Sequence, residues 1–285
     1  MIHTIQRFMA VFDNPRDRAV QHMFDRIARR YDLLNRVISF RLDSRWRKQA
    51  IQSISTAGNS FILDLGSGTG DLTFSALKWS PTGKPVAPSG TPVGRNPEQE
   101  PPAKAGARVD GSAGGRQIVG LDFSLEMLRL AQRRSRSVPH GERTHFVLGS
   151  ALRSPFRDAV FDGVMSAFVL RNVSDLALFF NQAFRVLRPG GKFVSLDMFP
   201  PSKGLFAEFY GLYFYHIVPW IGALLAHDRD AYKYLSDSVR TFHSPNTIAE
   251  MLKQSGFTHV SWRKFLCGAV CMHVAEKSQP LENPC

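Results

Sequence analysis

The sequence predicts an α/β fold, an open and mostly parallel sheet with helices on both faces. Three observations predict it. Residues 61–73, FILDLGSGTGDLT, pass from an apolar run through a glycine-rich turn into helix-forming residues, which reads as strand, tight turn, helix. The runs at 118–121 and 161–172 are apolar enough for strands buried on both faces, as parallel strands are. Between such runs lie segments whose apolar residues recur at helical spacing, and strands alternating with helices indicate βαβ units.

Taken in order, residues 1–13 carry no usable pattern. From Pro15, the positions Val20, Met23, Phe24, Ile27, Tyr31 and Leu34 recur at helical spacing and predict a helix with one face packed inward. A helix to about Trp79 follows the glycine turn. Residues 81–117 then hold seven Pro and seven Gly in thirty-seven positions. Such a segment buries too little apolar surface to offset its ordering entropy, so a disordered loop is expected there. The strand at 118–121 ends in Asp122 and precedes a helix containing Met127, Leu128 and Leu130. THFVLG is the next strand, and FDGVMSAFVLRN the one after. Ser174-Asp175 cap a helix through Phe180 and Val186, and Arg188-Pro189-Gly190-Gly191 turns it into another strand. Residues 205–225, LFAEFYGLYFYHIVPWIGALL, predict helical segments forming a hydrophobic wall. Ser244-Pro245 starts a helix ending at Gly256. Strands around 259–266 and 269–275 complete seven, with an antiparallel edge.

The glycine turn is a small-molecule cradle. Its glycines allow a sharp bend and close backbone approach, and the N–H groups opening the next helix favour a negative group. A dinucleotide loop wants G-x-G-x-x-G, but Asp71 occupies the third position of that pattern. The string is instead D-x-G-x-G-x-G, built on Asp64, Gly66, Gly68 and Gly70, with Thr69 between the last two. It resembles motif I of the class I S-adenosylmethionine methyltransferases, which implies S-adenosylmethionine as cofactor and a Rossmann-like fold. An acid on the ribose hydroxyls belongs about 20 residues beyond the glycines. Discounting the 81–117 insert brings Asp122 to that distance, where its carboxylate can accept both hydroxyls. Phe123 and Met127 are candidates for the adenine wall.

The segment YDLLNRVISFRLDSRWRK is more distinctive than an amphipathic helix. Tyr31, Asp32, Asn35, Ile38, Ser39 and Trp46 match the signature Y-D-x-x-N-x-x-hydrophobic-S-x-x-x-H-x-x-W, with Asp43 where many members have His. The chain resembles the menaquinone/ubiquinone biosynthesis C-methyltransferases over residues 16–275, the insert apart. Ser150-Ala151 and Pro155-Phe156 resemble the family's G-[DN]-A-x-x-L-P-F loop at the adenine edge. Residues 166–172 resemble its S-x-x-L-R-N, and Asp197 stands where a second signature has Glu. The resemblance implies C-methylation of a demethylated polyprenyl quinol, demethylmenaquinol first. A benzoquinol of the ubiquinone pathway, another lipid or phenol acceptor, and a catalytically silent S-adenosylmethionine-binding protein stand as alternatives.

Ligands of open α/β sheets sit outside the carboxyl ends of the strands, so Ser166, Arg171 and Asn172 are expected to face cofactor and acceptor. A guanidinium ending a core strand must pair. A quinol oxygen becoming phenolate is one partner for Arg171, and a nearby structural acid is the other. Asn172 would position the acceptor, with His216, Tyr31 or Asp43 as base partners.

Composition bounds the rest. The chain has 285 residues, 44% of them hydrophobic, enough for a substantial core. Expected boundaries are an N-terminal helical lid at 1–50, a methyltransferase domain at 51–277 and a flexible tail at 278–285. No apolar stretch reaches the roughly 18 residues of a spanning helix, and the N-terminus lacks a cleavable leader pattern, so a cytoplasmic protein is expected. Cys267, Cys271 and Cys285 form no framework, and no His or Cys cluster has zinc spacing, so no metal is expected. The net charge is +12, and residues 1–50 hold eleven Lys or Arg against five Asp. A basic end suits the anionic inner face of a membrane, and no nucleic-acid module accompanies it. Expected partners are the quinol, that membrane surface, and a homodimer or quinone-biosynthesis complex.

Overall fold

The structure, a computed structural model, describes residues 14–39, 41–54, 60–78, 115–201, 211, 214 and 229–279, except for the side chains of residues 33–35, 37, 38, 229 and 232. Seven strands form one sheet: β1 Phe61–Leu65, β2 Gln117–Asp122, β3 Thr144–Leu148, β4 Phe161–Ala167, β5 Leu187–Met198, β6 Thr258–Phe265 and β7 Val270–Glu276. Their order is β3-β2-β1-β4-β5-β7-β6. The ladders from β3 across to β5 are parallel, whereas β7 runs antiparallel to both β5 and β6. The chain builds outward from β1 to β3, then returns to the other side of β1 as β4. That reversal opens a crevice at the carboxyl ends of β1 and β4, where ligands of such sheets bind.

The described helices are α1 Pro15–Ile38, α2 Asp43–Ile54, α3 Asp71–Lys78, α4 Leu125–Ser135, α5 Leu176–Val186, α6 Arg229–Arg240 and α7 Pro245–Gln254. The signature segment at 31–48 is divided between two of them, because α1 ends at Ile38 and α2 begins at Asp43, with Arg41 at φ 60° in the bend. Side-chain oxygens cap three helices as the sequence predicts or permits: Ser124 accepts from Met127 N–H, Asp175 from Leu178 N–H and Ser244 from Thr247 N–H. Residues 188–191 interrupt the β5 ladder as a bulge, since Leu187 faces Phe161 and Lys192 faces Gly163.

Strand alternation divides the core between the two sheet faces. Leu63, Leu65, Val119 and Leu121 join Phe179, Phe180, Phe193 and Phe257 beneath α5 and α7. Ile62, Ile118, Met165 and Val194 join Trp46, Ile51 and Phe74 beneath α2 and α3. A third, smaller cluster sets Met23 and Ile27 of α1 against Phe214 and against Ala231 and Val239 of α6. Met23 and Ile27 of α1 thus face α6, while Phe24, Tyr31 and polar residues of the same helix reach the crevice.

Residues 81–114 of the expected insert lie outside the described residues; its last residue, Gln117, already pairs with Phe61 as the start of β2. Most of the expected hydrophobic wall at 205–225 also lies outside them. No described helix is long and apolar enough to cross a membrane.

Phe193 is fully buried and meets Phe179, Phe180 and Phe257 ring to ring at centroid distances of 6.4, 5.9 and 5.7 Å. Phe193→Ala is expected to lower stability by about 3–5 kcal/mol, through lost burial and the cavity left behind. Urea denaturation followed by circular dichroism measures it, and a loss under about 1 kcal/mol would mean that this cluster collapses around the gap.

Candidate functional site

The crevice begins where β1 ends. Gly66 lies at φ 76° and a Cβ there would land inside the Val169 side chain, so glycine is required both by backbone and by space. The Gly66 and Ser67 N–H groups donate to the Leu121 carbonyl at 2.8 and 3.1 Å, which ties the turn to the end of β2. Gly70, at φ 86°, lies under the Phe74 ring and lets α3 start directly behind the loop.

Two buried carboxyls flank this loop. Asp64 has no exposure; its Oδ2 accepts from the Thr73 hydroxyl at 2.6 Å, and its Oδ1 has no partner. Burial pushes its pKa up to about 7. Asp122 accepts from Gly68 N–H at 2.7 Å and Ser124 N–H at 2.8 Å, and burial pushes it up to about 6. Each Asp122 oxygen keeps a lone pair for a further donor.

Helix α1 roofs the crevice with polar side chains. Asp17 accepts from the Ser174 hydroxyl at 2.9 Å, Gln21 donates to the Phe123 carbonyl at 2.7 Å, and Asp25 accepts from the Ser124 hydroxyl at 2.5 Å. Nearer its C-terminal end, Asp32 accepts from the Thr69 hydroxyl at 2.5 Å and from Arg134 at 2.8 Å. The loops after β1, β2 and β4 are thus all bonded to one helix.

An ion network secures the corner. Asp71, first residue of α3, accepts from Arg47 of α2 at 2.7 Å and from Arg134 of α4 at 2.6 Å. Burial alone would raise its pKa, but the two guanidiniums hold it below the usual carboxylate value. Arg134 also donates to the Thr69 carbonyl at 2.9 Å, and Asp43 lies 3.4 Å from Arg47. Asp32, carrying burial and the neighbouring Asp71, is pushed the other way.

The cavity is open to solvent on one side and measures about 1030 Å³ with the space at its mouth included. Of the residues singled out from the sequence, Asp64, Gly66, Gly68, Thr69, Asp122, Phe123, Ser150, Ala151, Tyr31 and Asn172 stand in its wall, as does Met127. The Ser150 oxygen also caps a short helical turn, accepting from Leu152 N–H at 3.2 Å.

Four expectations need correction. Gly70 shapes the turn without reaching the wall. Ser166 is buried one residue short of the strand end, where its hydroxyl donates to the Leu65 carbonyl at 2.8 Å; Ala167, Phe168 and Val169 line the cavity instead. Arg171 lies behind the wall, 6% exposed, donating to Asp197 of β5 at 2.7 Å, so the nearby acid is the partner it takes. Asp43 is likewise behind the wall, accepting from the Ser39 hydroxyl at 3.0 Å and facing Arg47. His216 lies outside the described residues.

Sequence reasoning missed Arg47 and Phe168. Arg47 follows Trp46 and shares a helix face with Asp43, but nothing local distinguishes it from the exposed Arg45. Phe168 sits at φ 62°, a costly conformation for a bulky residue, with its N–H on the Leu196 carbonyl and its own carbonyl accepting from Asn172. The guanidiniums of Arg47 and Arg171 lie 5.6 and 6.0 Å from its ring centroid.

The wall suits S-adenosylmethionine. It supplies acids for an ammonium and a ribose, Phe123, Met127 and Leu152 for a purine, and glycines that permit close backbone contact, while the orphaned Asp64 Oδ1 awaits a donor. Fold and site together define a class I S-adenosylmethionine-dependent methyltransferase. The chain matches the ubiE/COQ5 methyltransferase family over residues 12–277 and belongs to that family. It is 34% identical over 255 residues to a demethylmenaquinone methyltransferase of Thermus thermophilus, covering 90% of this chain and 100% of that one. It is 33% identical over 254 residues to a ubiquinone/menaquinone biosynthesis C-methyltransferase of Desulfotalea psychrophila, covering 89% of this chain and 88% of that one. In fold it is similar to an S-adenosylmethionine-dependent methyltransferase of Thermotoga maritima, with a TM-score of 0.56 and 15% identity over 90% of this chain and 99% of that one.

The raised pKa values set a pH dependence. Both carboxyls favour the folded chain most below about pH 4, and that contribution is lost as pH rises through about 6 for Asp122 and 7 for Asp64. A cationic ligand favours their ionised forms. Affinity for S-adenosylmethionine is therefore expected to rise between pH 5 and 8 with release of protons on binding. Calorimetry in buffers of different ionisation enthalpy measures both, and Asp64→Asn should flatten the part centred near pH 7. A flat wild-type profile would show that these groups do not titrate with binding.

Proposed function

We propose that this enzyme methylates a ring carbon of a demethylated polyprenyl quinol, converting demethylmenaquinol to menaquinol in respiratory quinone biosynthesis. The observation that carries the reading is the 34% identity, over the whole length of the Thermus relative, to a demethylmenaquinone methyltransferase. The cavity adds chemical support, since its wall presents Tyr31 of α1 and, from the segment after β4, Phe168 and Asn172 together with the cofactor loop.

Bound S-adenosylmethionine supplies an electrophilic methyl group on a sulfonium. The chain must hold the acceptor in line with it and make its ring carbon nucleophilic. Loss of the proton from a ring hydroxyl moves electron density onto the neighbouring carbon. That carbon takes the methyl, and its own proton then leaves to restore the aromatic ring. A developing phenolate needs positive charge nearby. Arg47 and Arg171 both interact electrostatically with Tyr31, so an oxygen next to the Tyr31 hydroxyl lies in the field of two guanidiniums. Asn172 positions the acceptor, and Tyr31 is the base partner at the wall. Asp43 acts through Arg47. Arg171 acts through its charge from behind Phe168, and Asp197 keeps it oriented. His216 remains a further base candidate by sequence.

A benzoquinol acceptor is a second reading, favoured by the Desulfotalea relative, whose name covers both quinone pathways. Purified enzyme given S-adenosylmethionine and short-tailed quinols is expected to yield the C-methylated naphthoquinol, detected by mass spectrometry. Methylation of the benzoquinol alone would select the second reading, and methylation of neither would sink both. Arg171→Lys keeps a cation beside Asp197 and should lower kcat about tenfold with little change in cofactor affinity. An unchanged kcat would remove Arg171 from the chemistry.

A polyprenyl acceptor resides in a bilayer, and the first 50 residues carry a net positive charge. The enzyme therefore works at the membrane surface in this reading. Co-sedimentation with anionic vesicles should fall steeply between 50 and 500 mM salt, values chosen to take the Debye length from roughly 14 to 4 Å. Equal binding to neutral vesicles would contradict an electrostatic origin.

A further inference from the structure

The cavity wall is unequal in charge. Among the described residues it carries four carboxylates, from Asp17, Asp64, Asp71 and Asp122, and a single cation, Arg47. S-adenosylmethionine has the complementary pattern, with an ammonium and a sulfonium against one carboxylate. Acids are plentiful for the two positive groups, and one wall residue offers charge for the negative one.

We infer that Arg47 holds the amino-acid carboxylate of S-adenosylmethionine through its Nε–H. The inference rests on the cofactor assignment and not on the identity of the acceptor. Three observations carry it. The Nε of Arg47 is buried and has no hydrogen-bond partner, and a buried charged donor is costly until an acceptor meets it. Arg47 stands at the amino-acid end of the cavity: it bonds Asp71 beside Thr69 and acts electrostatically on Asp64, whereas Asp122, Phe123 and Ser150 mark the nucleoside end. The guanidinium is also held in place before any ligand arrives. Its Nη1 donates to Asp71 at 2.7 Å with Asp43 at 3.4 Å, and its central carbon lies over the Phe168 ring, 5.6 Å from the centroid.

Service as a counter-ion for Asp71 does not account for this arrangement. Arg134 already donates to the other Asp71 oxygen at 2.6 Å, and the bond from Arg47 uses Nη1 alone. The Nε donor is left for something else. Arg47 thereby determines cofactor specificity, admitting ligands that bring a carboxylate to that corner and rejecting those that leave its Nε unpaired.

The test compares dissociation constants for S-adenosylmethionine and for its decarboxylated form, which keeps both positive charges and lacks the anion. Wild-type enzyme is expected to bind S-adenosylmethionine about 10 to 100 times more tightly, the range of one hydrogen bond to a charged group. Arg47→Met should bring the ratio close to one, chiefly by weakening S-adenosylmethionine. Arg47→Lys keeps the charge but not the planar fork, so it folds around Asp71 and should give an intermediate ratio. If Arg47→Met does not fold, the Arg47→Lys ratio decides: a value equal to wild type overturns the inference. A ratio unchanged in Arg47→Met, or equal loss for both ligands, overturns it as well. So does a rise in quinol KM with the ratio intact, which would give Arg47 to the acceptor. Failure to methylate any quinol leaves these binding ratios readable, so the two readings fail separately.

Discussion

The bridging of Asp71 by Arg47 and Arg134 is the interaction on which the site depends. It joins three helices, α2, α3 and α4, that the sheet alone would leave independent, and through Thr69 and Asp32 it reaches the fourth, α1. Each charge is largely withdrawn from water, so each is stable only while its partner is in place. The benefit is orientation. A carboxylate gripped on both oxygens fixes the first residue of α3, and with it the glycine loop immediately before it.

The sheet and the roof hold by different physics. Strand order brings the ends of β1, β2 and β4 to one edge, and apolar clusters on both faces make that edge rigid. The roof is polar where it meets the site. Asp17, Gln21, Asp25 and Asp32 each bond a loop, and one such bond is worth a net ~0.5–1.5 kcal/mol because water replaces it when it breaks. Apolar burial is added by Met23 and Ile27, which lie against Phe214 and α6. A site that must close over a ligand and release a product is therefore covered by contacts that water can replace.

Phe168 shows how the acceptor side is organised. Its left-handed backbone is held by the bond from its N–H to the Leu196 carbonyl and by the bond from Asn172 to its own carbonyl, and the guanidiniums of Arg47 and Arg171 both lie near its ring. Arg171 and Asp197 complete the arrangement from within the core. The result sets two buried guanidiniums, each paired with a carboxylate, within electrostatic reach of Tyr31.

Much of this was legible in the amino-acid sequence. Parallel strands are apolar throughout and stand out without an alignment. The spacing of Gly66, Gly68 and Gly70 separates this loop from a dinucleotide loop, and Asp122 is found once the proline-rich insert is discounted. These features are local or depend on spacing, so the chain itself determines them. Pairing is different. A guanidinium at position 171 must find an anion, and a phenolate acceptor reads as its first partner, with a structural acid as the alternative, until β5 brings Asp197 alongside. Ser166 and Ala167 are neighbours in sequence, but only the end of the strand decides which of them meets the cavity. Arg47 carries no local mark at all, because its role depends on Asp71 and Phe168, brought to it from 24 and 121 positions along the chain. Strands, turns and caps follow from short-range sterics and hydrophobic period. The partner of a buried charge is set by which distant segments the sheet brings together, and only the tertiary structure decides that.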